Sequence, residues 1–250
     1  MKSDPYIVPG LVRGLAALRA FTPDRPELTL GDIATELGVT KSAAFRTVHT
    51  LAAEGYLLAI PGQQRFRLGP AVQRLSYGYH ASRELLDVVG PVLERLRDLT
   101  DWSTHLGVLD GRHVLYLQRF AATHGLSSLV HVGSRLPAAA TSMGRVLLAG
   151  RTEADIRRIY RDVTAGELSR VIATRERDRR SGVVVSVGNF ESGLCSVAAP
   201  IRDIAGHVVA AISATRIRDD VPDEIVAKVA EAAQTTSVAL GARRETAPAD

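Results

Sequence analysis

The feature that most narrows what this chain can fold into lies in its first 70 residues: three helix-forming segments with capping signals around the middle one, followed by a short hairpin. Thr29 precedes an apolar periodicity at Ile33, Ala34 and Leu37 and stands three residues before Asp32, the spacing of a capping box. Gly38 falls just past that periodicity, where a left-handed residue closes a helix. Thr40 supplies a second cap, and Ala44, Val48, Leu51 and Ala52 give the next helix, residues 41–54, its inward face. Upstream, Leu11, Leu15, Ala17 and Leu18 predict an amphipathic helix over 9–21 that needs a partner for its apolar side. Downstream, residues 55–59 and 65–68 read as two strands around Pro61-Gly62-Gln63-Gln64. Helix, tight turn, helix and wing is an order that can place the second helix of the pair in the major groove of DNA.

The side chains left facing outward fit that use. Lys41, Ser42, Phe45, Arg46 and His49 mix cation, hydroxyl and aromatic groups, unlike the Glu/Lys pairs of an ordinary solvated helix. Arg46 can fork onto guanine or a phosphate, Ser42 and Thr40 can bond phosphate oxygens, and Phe45 can touch a thymine methyl. Gln63, Gln64 and Arg65 give the wing a polar, basic tip. Double-stranded operator DNA is the expected partner of this segment, with Thr40, Lys41, Ser42, Ala43, Phe45, Arg46, His49, Gln63, Gln64 and Arg65 as candidate contacts.

Composition sets outer bounds. With 250 residues, 46% hydrophobic and 23% charged, the chain can build one large or two modest cores. A net charge of +4 is small for this length and by itself says little about nucleic acid. No apolar run approaches the roughly 18 uncharged residues that cross a bilayer, and the start, MKSDPYIVPG, has no secretory pattern, so a cytoplasmic protein without a membrane partner is expected. One cysteine, Cys195, excludes an internal disulfide and a thiolate zinc finger.

Beyond the wing the periodicity turns helical through Val72, Leu75 and Tyr79, and again from Leu85 to Leu99 with Gly90-Pro91 predicting a break into two helices. These helices are expected to act as linker and dimer contact. Strands are predicted at 104–109, 114–119 and 126–132, then helices at 142–149, 153–160 and 167–180. Three more strands, 183–187, 195–201 and 208–215, precede a final helix over 222–242, and 245–250 is expected to fray. The fold class is therefore α+β, with a central antiparallel sheet and helices packed beside it.

Several segments resemble the isocitrate lyase regulator (IclR) family of bacterial transcription regulators: Lys41-Ser42-Ala43-Ala44-Phe45-Arg46, the wing ending Arg65-Phe66-Arg67-Leu68-Gly69, residues 136–149 (LPAAATSMGRVLLA) and residues 193–201 (GLCSVAAPI). The resemblance spans 8–242. It implies an N-terminal winged helix-turn-helix (8–70), a helical linker (71–82) and a GAF-like domain for effector binding and oligomerisation (83–245). It also implies dimers or tetramers, no cofactor, and operator binding controlled by a small organic acid or aromatic catabolite, with repression the commoner family mode. Carried over by position, the effector pocket would be lined by Leu136, Ser142, Met143, Cys195, Ser213 and Thr215, with Leu126 and Val130 beside them. Ser213 and Thr215 lie two apart in a strand, so both hydroxyls share a face. The sequence also departs from the family: Ala43 stands where a Thr is common, and residues 187–192 (VGNFES) lack the run of acids often found before the second signature.

Other chemistry-bearing residues carry plainer readings. Cys195 has no histidine near it in sequence and reads as a small buried hydrophobe. His105, His113, His124 and His131 lack the close spacing of a metal motif and read as scattered surface or core residues. The run from Arg175 to Arg180, with its interleaved acids, reads as a solvated helix end and, less simply, as a second nucleic acid patch. A GAF-like enzyme with an appended DNA-binding module is the alternative function; no nucleophile with its base, metal motif or phosphate loop supports it.

Overall fold

A computed structural model of the chain describes residues 6–22, 24–75, 84–124, 130–188 and 193–242. The chain divides into two compact units, with the division between Arg83 and Glu84.

In the first unit, α1 (Pro9–Arg19) is followed by a two-residue strand β1 (Leu28–Thr29), then α2 (Leu30–Leu37) and α3 (Lys41–Ala53). The capping chemistry is the predicted one. Thr29 Oγ1 accepts from the Asp32 N–H at 3.1 Å, and the Asp32 carboxylate accepts from the Thr29 N–H at 2.8 Å. That backbone bond, helped by one from the Thr29 hydroxyl, holds the Asp32 carboxyl below its usual pKa. Gly38 closes α2 at φ 62°, and Thr40 Oγ1 accepts from the Ala43 N–H to start α3. Strands β2 (Leu57–Ala59) and β3 (Arg65–Leu68) form the hairpin, and β1, which local sequence does not announce, adds a third strand by pairing Leu28 with Phe66 and Thr29 with Arg65.

The core of this unit joins Ala17, Ala20, Phe21, Leu28, Ile33, Val48 and Leu57. It does not take the expected face of α1. Ala17 is buried, but Leu11 and Leu15 are exposed, together with Val8 and Val12. Past the wing the chain turns helical over 71–75.

The second unit opens with α4 (Glu84–Thr100), one continuous helix with Pro91 inside it, where the sequence predicts two. Proline deprives the Asp87 carbonyl of its partner four residues on, a cost of about 3 kcal/mol. Burial of Leu86, Val89, Leu93 and Leu96 along one stripe outweighs it, and the Gln118 amide donates to the neighbouring Leu86 carbonyl at 3.1 Å. Then come β4 (Ser103–Asp110), β5 (His113–Phe120), β6 (Arg135–Pro137), α5 (Ser142–Ala149), α6 (Glu153–Ile159), α7 (Ala165–Ser181), β7 (Val184–Val187), β8 (Leu194–Arg202), β9 (Val208–Ile217) and α8 (Asp223–Ala239).

The sheet order is β6-β5-β4-β9-β8-β7, and every neighbouring pair is antiparallel. One face carries α4 and α8: Thr104 donates to the Leu93 carbonyl, and the Arg202 N–H donates to Ser237 Oγ. The other face carries α5, whose Met143 sits so close to Gly107 that a Cβ there would lie 2.4 Å from its sulfur. The predicted strand over 126–132 is corrected. Residues 125–129 lie outside the description, Val130 to Val132 are not in a strand, and the edge strand is β6. A turn at His131–Ser134, with Gly133 at φ 87°, separates the two, and the chain pairs with β5 only after it. The Arg175–Arg180 segment is also corrected: it is helical as expected but not wholly solvated, because Arg175 and Asp178 are buried against the body of the unit.

Candidate functional sites

The first candidate is the outer face of α3 with the wing. Thr40, Lys41, Ser42, Phe45, Arg46 and His49 are all exposed, while Ala44 and Val48, on the reverse face, are buried. Ala43 is half-buried, facing the groove between α1 and α3 rather than the tip of the surface. The Phe45 and His49 rings stand 5.9 Å apart, one turn along the helix, so the aromatic stays outward despite its apolar character. Gln63 and Gln64 are exposed at the hairpin tip, which closes with Ile60 N–H to Arg65 O at 2.9 Å and Gly62 at φ 74°. Arg65 begins β3 and also donates to the Glu27 carbonyl at 3.4 Å, tying the strand to the segment before α2. No carboxylate lies on this α3 face, which presents the donors of Thr40, Lys41, Ser42, Arg46 and His49 around the Phe45 ring.

The second candidate lies on the α5 face of the sheet. Strand alternation and register decide which side chains share it. Ser142, at the start of α5, hydrogen-bonds Ser196 of β8, Oγ to Oγ at 2.5 Å. Ser196 is the register partner of Thr215, and Ser213 is the partner of both Ala198 and His105. Ser142, Ser213 and Thr215 therefore converge on one face, as expected. Met143, Val130 and Leu136 pack into the same cluster with Val114 and Tyr116, which gives this face an apolar wall. Leu126 lies outside the described residues.

Cys195 departs from the expectation. Thr104, which faces α4, pairs with Ala214; Ala214 pairs with Val197; and Cys195 is two residues from Val197. Its side chain thus belongs to the opposite face of the sheet, where the thiol donates to the Arg218 carbonyl at 3.2 Å. Burial, with Asp220 nearby, pushes its pKa up, which keeps it a thiol rather than a thiolate. Recognising this needs the β8–β9 register, which one strand's sequence does not contain.

His105, which the sequence leaves among scattered surface or core histidines, is placed by the structure on the α5 face. It is 1% exposed, on the Ser213 face, and neither ring nitrogen has a hydrogen-bond partner. Desolvation, and secondarily the positive charge of Arg119, lowers its pKa to about 3. A buried donor or acceptor without a partner costs about 1–3 kcal/mol, so its retention calls for an explanation. Its ring meets Tyr116 edge-on at 5.6 Å, and burial raises that phenol to about 12. Alternation with Ser103 and Gly107 was available in the sequence; pairing with Ser213, 108 positions on, was not.

Other features contribute no chemistry of this kind. A cleft of about 240 Å³ between α5 and α7 is lined by Arg145, Arg170 and Arg175 and by Glu167 and Asp178, with Arg145 paired to Asp178. Among the described residues no group of three or more His, Cys, Asp or Glu could hold a metal ion, and no helix is long and apolar enough to cross a membrane.

Comparison with known proteins gives a match in each unit. Residues 10–59 match the IclR helix-turn-helix domain, and residues 77–239 match the family described as bacterial transcriptional regulator IclR C-terminal. The chain is 33% identical over 219 residues to the Pca regulon regulatory protein of Pseudomonas putida, covering 84% of this chain and 75% of that one. It is 31% identical over 226 residues to the p-hydroxybenzoate hydroxylase transcriptional activator of Acinetobacter baylyi, with 85% and 82% covered. An IclR homolog from Microbacterium hydrocarbonoxydans, solved in complex with 4-hydroxybenzoate, superposes with a TM-score of 0.82 at 27% identity, over 92% of this chain and 98% of that one. A helix-turn-helix with an outward donor face, a second unit with a buried polar patch, and matches to both over most of their length have one common explanation: the chain belongs to the IclR family of bacterial transcriptional regulators.

Proposed function

We propose that the protein represses or activates a catabolic operon by binding its operator through α3 and the wing, under the control of a small aromatic acid bound on the α5 face. The observation that carries this reading is the carboxylate-free, exposed face of Thr40, Lys41, Ser42, Phe45, Arg46 and His49 beside Gln63, Gln64 and Arg65. Residues 8–70 act as the DNA-binding domain, 71–82 as the linker and 83–245 as the effector and assembly domain. Repression is the default mode we assign.

The effector set is Leu136, Ser142, Met143, Ser213 and Thr215, with Val130 and Leu126 as further candidates and Cys195 left out. An aromatic acid suits an apolar wall with a few hydroxyl donors, and one relative is named for p-hydroxybenzoate hydroxylase while a structural neighbour holds 4-hydroxybenzoate. The protein acts in the cytoplasm as a homodimer or a pair of dimers and is not an enzyme. The exposed apolar residues Val8, Leu11, Val12 and Leu15 of the first helical segment favour self-association, since such a patch on a lone subunit faces water.

The test is fluorescence anisotropy with the DNA upstream of the protein's own gene, across a salt series and with benzoate, 4-hydroxybenzoate and 3,4-dihydroxybenzoate. Tight, salt-sensitive, sequence-selective binding shifted by one acid supports the proposal. Weak binding to every sequence at every salt overturns the operator reading. Turnover of an acid by the purified protein overturns the assignment as a non-enzyme.

A further inference from the structure

We propose that His105 reads a hydroxyl group of the effector, so that this face of the sheet selects hydroxylated aromatic acids over their unsubstituted counterparts. The inference rests on the effector reading above and extends it to a residue and a ligand group.

His105 stands in the middle of the candidate face. Ser103 and Gly107 flank it along β4, Ser213 lies opposite on β9, and Arg119 lies opposite on β5. Three of these four neighbours are small, so the imidazole is the largest polar group among them on β4 and β9. It is buried, and neither nitrogen bonds to protein. The Tyr116 ring packs against it at right angles, with centroids 5.6 Å apart. A side chain desolvated and left with both hydrogen-bonding edges unmet is arranged for a partner that the chain itself does not supply.

The chemistry of that partner follows from the state of the ring. Burial and Arg119 keep the imidazole neutral, with one N–H and one lone pair. A hydroxyl both donates and accepts, so it can satisfy either nitrogen. A carboxylate only accepts, and it is better matched to a hydroxyl donor such as Ser213. Met143, Val114 and Tyr116 supply the apolar surface for the ring between these groups. A phenolic acid presents all three parts at once, whereas benzoate leaves the histidine unmet.

The experiment is calorimetric titration of the full-length protein with 4-hydroxybenzoate and benzoate, for wild type, His105→Phe and His105→Gln. Wild type is expected to prefer 4-hydroxybenzoate about tenfold or more, because a site built to bond a hydroxyl discriminates against the analogue lacking it. His105→Phe should bring the ratio close to one while still binding benzoate, and His105→Gln should restore part of it. In parallel, ¹⁵N spectra of the wild-type imidazole should move on saturation with 4-hydroxybenzoate and stay still with benzoate. An unchanged affinity ratio in folded His105→Phe overturns the assignment of His105 and leaves the aromatic-acid reading standing. If that variant does not fold, unmoved ring nitrogens in the saturated wild type overturn it equally. Failure of wild type to bind either acid overturns both readings together.

Discussion

Arg145 of α5 and Asp178 of α7 form a two-bonded ion pair, Nε to Oδ2 at 2.8 Å and Nη2 to Oδ1 at 2.6 Å, with the side chains only 15% and 3% exposed. It locks the helix that begins with Ser142 to the long helix beside it. Removing one partner leaves a buried charge uncompensated, which costs about 3–5 kcal/mol. Asp178→Ala should therefore lower the urea midpoint strongly. The double variant Arg145→Met, Asp178→Leu should recover much of the loss, since a pair replaced by apolar groups of like volume is often neutral. Equal destabilisation by the single and double variants would show that the pair's charge is not what matters.

Arg46→Ala should weaken operator binding by about 1–3 kcal/mol, as expected for loss of an arginine fork on a base edge. The side chain is exposed and its helix is held by Ala44 and Val48 on the other face, so thermal stability should not change. Anisotropy with matched and scrambled DNA separates a base contact, which affects only the former, from a phosphate contact, which affects both.

Ser213→Ala should blunt the response to ligand and leave ligand-free DNA binding intact, because Ser213 belongs to the second unit. Met143 offers no such clean test: its sulfur already lies where a Cβ on Gly107 would be, so a bulkier residue strains the core. Anisotropy with and without 4-hydroxybenzoate measures the Ser213 effect.

The pH dependence of stability should carry the mark of His105. Its folded pKa, about 3, lies below the model-peptide value of 6.5, so between these limits the unfolded chain binds the extra proton. Stability contributed by the neutral ring is complete above about pH 6.5 and is lost as pH falls toward 3. The slope is at most about 1.4 kcal/mol per pH unit for this one group. In His105→Phe that part of the acid sensitivity should disappear, and the variant should be no less stable than wild type at pH 7. Urea unfolding between pH 4 and 7 gives both numbers.

How far the sequence carries depends on how local each cause is. Thr29 with Asp32, Gly38, and Thr40 act within three or four residues, so the helix-turn-helix is legible at the level of individual hydrogen bonds. β1 is not, because its two residues are strand only through Phe66 and Arg65, nearly forty positions away. Pro91 signals a break that long-range packing overrules. In the second unit each strand and helix is visible from its own pattern, apart from β6. The partition of side chains between the two faces is not, since it depends on pairings such as Ser103 with Thr215. That is why Ser213 and Thr215 are placed correctly as a pair, Cys195 falls on the wrong side, and His105 is read only as one of several scattered surface or core histidines.

The central strands β4 and β9 are joined only after about a hundred intervening residues, whereas the first unit closes its three-stranded sheet within residues 28–68. Contacts that are near in sequence form quickly, and distant ones wait for loop closure. Domains also fold as units during synthesis, from the N-terminus. The DNA-reading unit can therefore assemble while the sheet of the second unit still lacks its middle partner, and a chain cut short before Val208 would keep a binder of DNA with no ligand to govern it.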